Sequence, residues 1–419
     1  MSEDRHVLVV GGGVIGVACA YYLNQANFRV TVIDRGKIGA ECSKGNCGLI
    51  CPSHVLPLAE PGAIGSTAAA LLQPGGPFHI KPRLDAAFWK WMANFAKRCN
   101  ERDMLESAKS IQPLLTSSLA LYETLVREEG LQCEFHKQGL LFVYKQKKKL
   151  DRYDTTNDLL ASKFNEPARK LTGMELLDFE PALVPGLAGA WFFEHDAHLR
   201  PDRLMSSWRE LLTSRGVRFV EDRSLERFDV SVGKVSTATA SSEAFDADFF
   251  VIATGARTPQ LAPILRRTVP IEPGKGYSIT VERPQTCPTY PMIFPERRVA
   301  VTPMDSGLRL GSIMEFAGYD ESIPTERLRL LTSATKEFLR DVQLDESWPE
   351  KWFGWRPMTY DSTPVIGPCP GFNNVFLATG HNVLGLSMAP ATGRLLAEMI
   401  RGEETHLPSK AYAVERFAS

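Results

Sequence analysis

HVLVVGGGVIG, residues 6–16, sets a short apolar run directly against three consecutive glycines, with Gly16 three residues on. The run at 6–10 has the length and β-branched content of a buried parallel strand. Gly11, Gly13 and Gly16 fit the spacing G-x-G-x-x-G. A helical stretch follows, with Ala20 and Leu23 on the face that meets a sheet. A turn at Asn27 then leads into a second β-branched strand, RVTVI at 29–33, which ends on Asp34. Each part has a physical role. Gly11 permits the tight turn, Gly13 lets a pyrophosphate approach the backbone, and Gly16 allows close helix–strand packing. The helix N-terminus offers free N–H groups and positive dipole to phosphates. Asp34 is placed to accept hydrogen bonds from a ribose hydroxyl, and Asn27 tolerates the left-handed backbone that ends a helix. Glycine turns alone are a weak signal. Strand, glycines, helix, strand and acid in this order predict a bound dinucleotide.

At 419 residues the chain has the length of two domains. Its formal net charge of −1 gives no electrostatic case for a nucleic-acid partner. The basic run KQKKK at 145–149 is read as a solvated turn after a strand. MSEDRH leads straight into the first strand without room for a signal peptide, and no apolar run approaches the roughly 18 residues of a spanning helix. The expected location is therefore cytoplasmic. Eight cysteines are too few for a disulfide scaffold. Cys42, Cys47 and Cys51 have the spacing C-x4-C-x3-C, which matches neither zinc nor iron–sulfur patterns, so no metal site is expected. Phe88, Trp89, Trp91, Met92 and Phe95, with Lys90, Lys97 and Arg98 beside them, form an aromatic stripe. It is read first as core, and otherwise as a peripheral contact with the cytoplasmic membrane face.

Three separated segments read as one dinucleotide domain: the N-terminal unit, a helix-to-strand segment from Pro201 to Ala256, and a late segment from 374. The second ends in DFFVIATGA at 248–256 and the third begins NVFLATGH at 374–381. Both are strands emptying into glycine turns, where a strand's C-terminal end meets a ligand crevice. A helix is expected to start near Ala389-Pro390. Between these segments, 134–144, 189–194, 271–282, 291–302 and 308–316 alternate like strands of a largely antiparallel sheet. Charged helical stretches at 101–129 and 325–342 flank them. The predicted fold is mixed α/β (α+β), with residues 1–90, 195–265 and 350–419 forming the dinucleotide domain. Residues 91–194 and 266–349 form a substrate domain.

Together the three segments resemble the glutathione-reductase-type FAD-binding fold. GKIGAECSKGNCG at 36–48 looks like the loop after the acidic residue in D-amino-acid-oxidising flavoproteins. FGWRPMT at 353–359 resembles their G-x-R-P segment. DSTPVIG at 361–367, TGHNVLG at 379–385 and KGYS at 275–278 resemble the bacterial D-amino-acid dehydrogenases especially. The likeness spans nearly the whole chain.

The resemblance implies FAD contacts at Val14, Ile15, Asp34, Arg35 and Ser43, and at Asn46, Cys47, Gly48 and Leu49 in the following loop. It implies further contacts at Ala253 and Gly255, at Gly380 and His381, and at Asn382, Val383, Leu384, Gly385, Leu386 and Ser387. Ser43 is suited to donate to the pyrophosphate, and a helix N-terminus after Gly385 to stabilise negative charge on a reduced flavin. Arg356 is the expected anchor for a substrate carboxylate, because a planar guanidinium offers two parallel charge-assisted hydrogen bonds. Its other reading is a structural salt bridge. Tyr277 is either a second donor to that carboxylate or a core tyrosine. His54, on the loop expected beside the flavin, either tunes the site or is incidental. Glycine oxidases carry a second arginine where this chain has Val383, which weakens that reading. Sarcosine and dimethylglycine enzymes attach flavin through a histidine whose place here is taken by Gly45, so non-covalent FAD is expected.

The implied activity is oxidative deamination of D-amino acids. A hydride passes from Cα to flavin N5, the imino acid hydrolyses to a 2-oxo acid and ammonia, and electrons go to a quinone or respiratory acceptor. Positioning then carries most of the catalysis, with the flavin supplying the redox chemistry. Two alternatives stay open: oxidation of a secondary amine or glycine (D-proline, hydroxyproline, sarcosine), and a non-catalytic FAD-binding subunit.

Overall fold

The apolar run His6–Val10 forms the middle of a six-stranded sheet, paired in parallel with Arg29–Ile33 on one side and Phe249–Ile252 on the other. The full order is Val365–Pro368, Val375–Thr379, Phe249–Ile252, His6–Val10, Arg29–Ile33, Arg218–Val220, and only the Val365–Pro368 edge is antiparallel. Side chains alternate across the pleat. Val7 and Val9 join a core with the helices Val14–Gln25, Glu101–Glu129 and Gly385–Arg401. Leu8 and Val10 face the three-stranded meander of Leu225–Ser231, Lys234–Ala240 and Glu243–Asp246. Helices Val14–Gln25 and Gly385–Arg401 lie in backbone contact, since a Cβ on Gly393 would stand 2.5 Å from the Ala18 carbonyl oxygen. The computed structural model describes residues 5–65, 76, 78–342, 344 and 348–417, so the N-terminal residues 1–4 lie outside the described residues.

The second sheet has nine strands and is mainly antiparallel. Its spine runs Glu350–Thr359, Ile271–Val281, Gly307–Phe316, Val299–Met304, Met292–Phe294, and continues through Leu140–Tyr144 and Gly189–Phe193 to Arg169–Leu171. Phe78–Ile80 adds in parallel beside the end of Gly307–Phe316. Helix Thr325–Phe338 covers one face, with Phe338 stacked on Phe294 at a centroid distance of 4.1 Å.

Several segments differ from the sequence expectation. Glu350–Thr359 and Phe78–Ile80 belong to the second sheet rather than to the dinucleotide domain, because their backbone partners lie there. Helix Glu101–Glu129, expected with the substrate domain, buries Ile111, Leu115, Tyr122 and Leu125 against the dinucleotide sheet's helical layer. The lysines at 147–149 open the helix Lys147–Phe164 instead of making a turn. The terminal helix starts at Gly385, not near Pro390. Proline is tolerated inside it because the Leu386 carbonyl, deprived of an N–H from Pro390, accepts the Tyr122 hydroxyl at 2.8 Å. In the aromatic stripe, on helix Ala86–Arg98, Phe88 and Trp91 are buried with Phe316 and Met358, while Trp89 is exposed.

Candidate active site

A cavity of about 770 Å³ runs from Gly13 and Asp34 at one end to Arg356 and Phe316 at the other. It opens where the strands of the first sheet end and the second sheet begins, the place where open α/β sheets bind ligands.

The N-terminal end is shaped by what the glycines lack. Gly11 sits at φ +109°, and a Cβ there would overlap the Ala253 carbonyl. A Cβ on Gly16 would overlap the Gly11 carbonyl, so the close approach of helix and strand requires that glycine. Asp34 accepts from Gly12 N at 2.7 Å and Gly36 N at 2.8 Å, which fixes its carboxylate at the cavity wall. Arg35 lies exposed at the rim. Ser43 Oγ accepts from Val14 N at 2.8 Å, leaving its own proton to donate. First-turn N–H groups lack helical acceptors, so this end presents donors and a positive dipole to an anion.

The loop between Ser43 and Leu49 is clamped from the second sheet. Arg309, fully buried on Gly307–Phe316, donates to Asn46 O at 3.1 Å and Lys44 O at 3.3 Å. Ser278 Oγ donates to Gly45 O at 2.6 Å, and Thr302 Oγ1 to Cys47 O at 2.7 Å. Asn46 Oδ1 accepts from Gly48 N at 2.9 Å, with Gly48 at φ +73°. Leu49 leads into a short pairing with His198. The Trp352 ring lies over Gly45 and Gly354, where a Cβ on either would strike it. Neither Arg309 nor Trp352 announces itself in sequence, because a buried arginine in a strand and a tryptophan before G-x-R-P look like ordinary strand residues.

At the other end, Gly255 (φ +53°) and Gly380 (φ +73°) turn the chain away from the sheet. His381 is buried, its Nε2 3.0 Å from Thr392 Oγ1, and burial lowers its pKa to about 3, so the ring is neutral. Asn382, at φ +52°, accepts from Thr359 N at 2.9 Å and donates to Gly380 O at 2.9 Å, tying this loop to the strand that carries Arg356. Ser387 Oγ donates to Leu49 O at 2.9 Å and accepts from Cys51 N at 3.3 Å. Val383, Leu384, Gly385 and Leu386 line the cavity at the helix N-terminus. Phosphate-directed donors at one end, a fixed carboxylate beside them and a second helix N-terminus at the far end fit FAD.

Arg356 is half-buried on Glu350–Thr359. Its Nη1 donates to Ile313 O at 2.9 Å and its Nη2 contacts Ser312 O at 3.4 Å. Among the described residues no carboxylate pairs with it, so the salt-bridge reading finds no support. Burial lowers its pKa, a direction that favours an anionic partner. A Cβ on Gly276 would overlap the guanidinium, which explains the glycine in KGYS.

Tyr277 also lines the cavity, but its hydroxyl donates to Glu315 Oε2 at 2.5 Å. Its proton is committed to protein, which corrects the reading of Tyr277 as a donor to substrate. His54 lies on the wall, edge-on to Phe142 at 5.5 Å, and burial lowers its pKa to about 4. Cys42, Cys47 and Cys51 are all free thiols. Cys51 groups instead with His54 and Asp196, their ligand-type atoms within 4.8 Å. Asp196 is already engaged by Ser53 Oγ at 2.5 Å and Ser53 N at 3.1 Å, so it anchors this loop. Trp91, Met92 and Phe95 add an aromatic and thioether wall that the sequence had suggested only as core or membrane contact.

Residues 6–399 match the profile of the family described as FAD dependent oxidoreductase (DAO). The chain is 30% identical to a D-amino acid dehydrogenase of Agrobacterium fabrum over 99% of its own length and 100% of the relative's. It is 32% identical to a D-amino acid dehydrogenase of Bradyrhizobium diazoefficiens over 98% of its length and 99% of the relative's. Among solved structures, glycine oxidase from Geobacillus kaustophilus superposes with a TM-score of 0.78 at 21% identity, covering 98% of this chain and 99% of that one. With the cavity, its glycine-shaped ends and a profile match over nearly the whole chain in agreement, this chain belongs to the DAO family of FAD-dependent oxidoreductases.

Proposed function

We propose that this enzyme is an FAD-dependent dehydrogenase of D-amino acids, releasing a 2-oxo acid and ammonia. The observation that carries the reading is Arg356. A guanidinium kept half-buried in the cofactor cavity, with backbone carbonyls as its oxygen partners, is set to receive a carboxylate. The names of the full-length relatives support the D-amino acid, and Val383 in place of an arginine speaks against glycine as the main substrate.

FAD, when bound, supplies the two-electron chemistry. The protein's part is positioning. Arg356 pins the carboxylate and thereby presents Cα and the amine to the cofactor. His54, neutral above its lowered pKa, borders the same space without adding charge. The wall of Trp91, Met92 and Phe95 excludes water around the substrate. No side-chain base is required, because the free amine's lone pair drives hydride departure. Arg309 and Asn382 hold the loops that shape the cavity from either side.

The reading extends to a quinone or respiratory electron acceptor, FAD held without a covalent bond, and at most peripheral membrane contact. Leu58, Ile64, Leu84 and Trp89 are exposed, and Leu58 also lines the cavity, which suits an apolar acceptor or lipid. Among the described residues no helix is long and apolar enough to cross a membrane. Anaerobic mixing with a panel of D- and L-amino acids, followed by flavin bleaching, tests the substrate class. Reoxidation by a soluble quinone against oxygen tests the acceptor. Bleaching by secondary amines alone would replace the proposal with oxidation of D-proline, hydroxyproline or sarcosine.

A further inference from the structure

Arg298 lies in the turn between Met292–Phe294 and Val299–Met304, at φ +50°. That backbone favours glycine or asparagine, so an arginine there is held at some cost. Its carbonyl accepts from Ile313 N at 3.2 Å. Ile313 is also the residue whose carbonyl accepts from Arg356. One residue therefore holds Arg356 on its C=O side and Arg298 on its N–H side.

Both arginines line the same cavity. The Arg298 guanidinium is half-buried, 5.6 Å from the centre of the Phe78 ring. Among the described residues no carboxylate stands within ion-pair distance of it, and no acceptor engages its side chain. Glu60 is the acid whose field reaches it, and Arg152 acts on that same carboxylate. Burial disfavours the Arg298 charge, as it does for Arg356. Phe78, Met92, Phe95 and Phe316 supply apolar wall to the same cavity. A desolvated cation that pairs with no carboxylate among the described residues, set against an apolar wall in the cavity that also holds the carboxylate anchor, is complementary to a second anion on a short aliphatic arm.

We infer that Arg298 binds a second carboxylate on the substrate, which makes the favoured class amino acids with acidic side chains. The α-carboxylate takes Arg356, the methylene arm lies along the apolar wall, and the distal carboxylate takes Arg298. For the reaction this rests on the D-amino-acid reading above; for anion recognition it stands on Arg298 alone.

The test separates the two. Glutarate and its monoamide are titrated into the oxidised holoenzyme of wild type, Arg298→Met and Arg298→Lys, following the flavin absorbance change. Glutarate is expected to bind wild type roughly 10- to 100-fold more tightly than the monoamide. That ratio should collapse toward one in Arg298→Met and recover in part in Arg298→Lys. The kcat/KM ratio of D-glutamate to D-glutamine should follow the same pattern. A wild-type ratio near one overturns the inference, as does a ratio that Arg298→Met leaves unchanged. Equal losses for the diacid and the monoamide would show both arginines gripping one carboxylate, and would also overturn it. Retained discrimination between glutarate and its monoamide, with no D-amino acid bleaching the flavin, would sink the reaction reading and leave the second anion site standing.

Discussion

Arg356 Nη1 donates to the carbonyl of Ile313 at 2.9 Å, and Ile313 is held at φ +56°. A β-branched residue in that region is strained. The cause lies in the register. Lys275 pairs with Glu315 and Tyr277 with Ser312, so Gly276 alone faces both Ile313 and Met314. The extra residue makes a bulge, which turns the Ser312 and Ile313 carbonyls onto the guanidinium. Gly276, across the bulge, supplies the space that a side chain would fill. Strain, bulge and glycine together hold one cation facing the cofactor cavity.

Removing that cation should damage recognition more than folding. Arg356→Ala is expected to lower kcat/KM some tens- to thousands-fold, corresponding to about 2–5 kcal/mol for a partly desolvated charge pair. Arg356→Lys should recover only part, since an ammonium keeps the charge but not the planar fork. Both variants should retain normal FAD content. The rate of flavin reduction against amino-acid concentration provides the check. Unchanged saturation in Arg356→Ala at normal FAD content would remove Arg356 from substrate binding.

Flavin attachment depends on Gly45. A Cβ there would strike the Trp352 ring, so no side chain able to form a bond fits in that backbone position. Acid precipitation should therefore leave all yellow colour in the supernatant. Gly45→His should lose FAD rather than gain a covalent link, because the ring would have to displace Trp352, whose indole N–H donates to Glu41 O at 3.2 Å. Colour retained in the denatured wild-type pellet would refute this.

The tight turn at Gly11 and the close helix–strand approach at Gly16 were legible because they depend on local backbone geometry, which a short motif encodes. Asn27, read as a left-handed turn residue, is found at φ +62°. The place of Arg356 on the cavity wall was legible from its neighbours in the chain. What stayed hidden depends on contacts between distant segments. Arg309 reaches Asn46 from 263 positions away, and Tyr277 gives its proton to Glu315 across the bulge. The strand Glu350–Thr359 looked like part of the dinucleotide domain because it adjoins that domain's last segment, yet its partner is Ile271–Val281. Nothing local distinguishes the two sheets as its destination.

Acid should destabilise the fold through its histidines. Burial lowers His54 and His198 to about 4 and His381 to about 3, so the folded rings stay neutral while the unfolded chain takes up protons below its ordinary value of 6.5. Stability is then full above 6.5 and falls as pH drops toward 4, by at most about 1.4 kcal/mol per pH unit for each ring. Asp196, raised to about 7 by burial, keeps its proton in the fold and offsets one ring in this window. His198 lies outside the cavity lining, so His198→Gln isolates one contribution. Urea midpoints of the holoenzyme between pH 7.5 and 4.5 should decline less steeply in the variant. Parallel slopes would show that His198 titrates normally in the fold.

The terminal helix carries a proline whose effect is offset by another helix. Pro390 has no N–H, so the Leu386 carbonyl four residues earlier loses its helical donor. Tyr122 OH, from Glu101–Glu129, supplies one at 2.8 Å in a buried setting. Tyr122→Phe leaves that carbonyl without a partner and should cost about 1–3 kcal/mol. Leu386 lines the cavity at the helix N-terminus, so FAD should also dissociate faster. Pro390→Ala restores an N–H to the same carbonyl. In that background Tyr122→Phe should cost clearly less, and the difference between the two costs measures the coupling. Unfolding midpoints of wild type, both single variants and the double variant give all four corners. If Tyr122→Phe costs the same with alanine as with proline at 390, the hydroxyl is not compensating for the proline, and the tolerance of Pro390 must come from elsewhere in the helix packing.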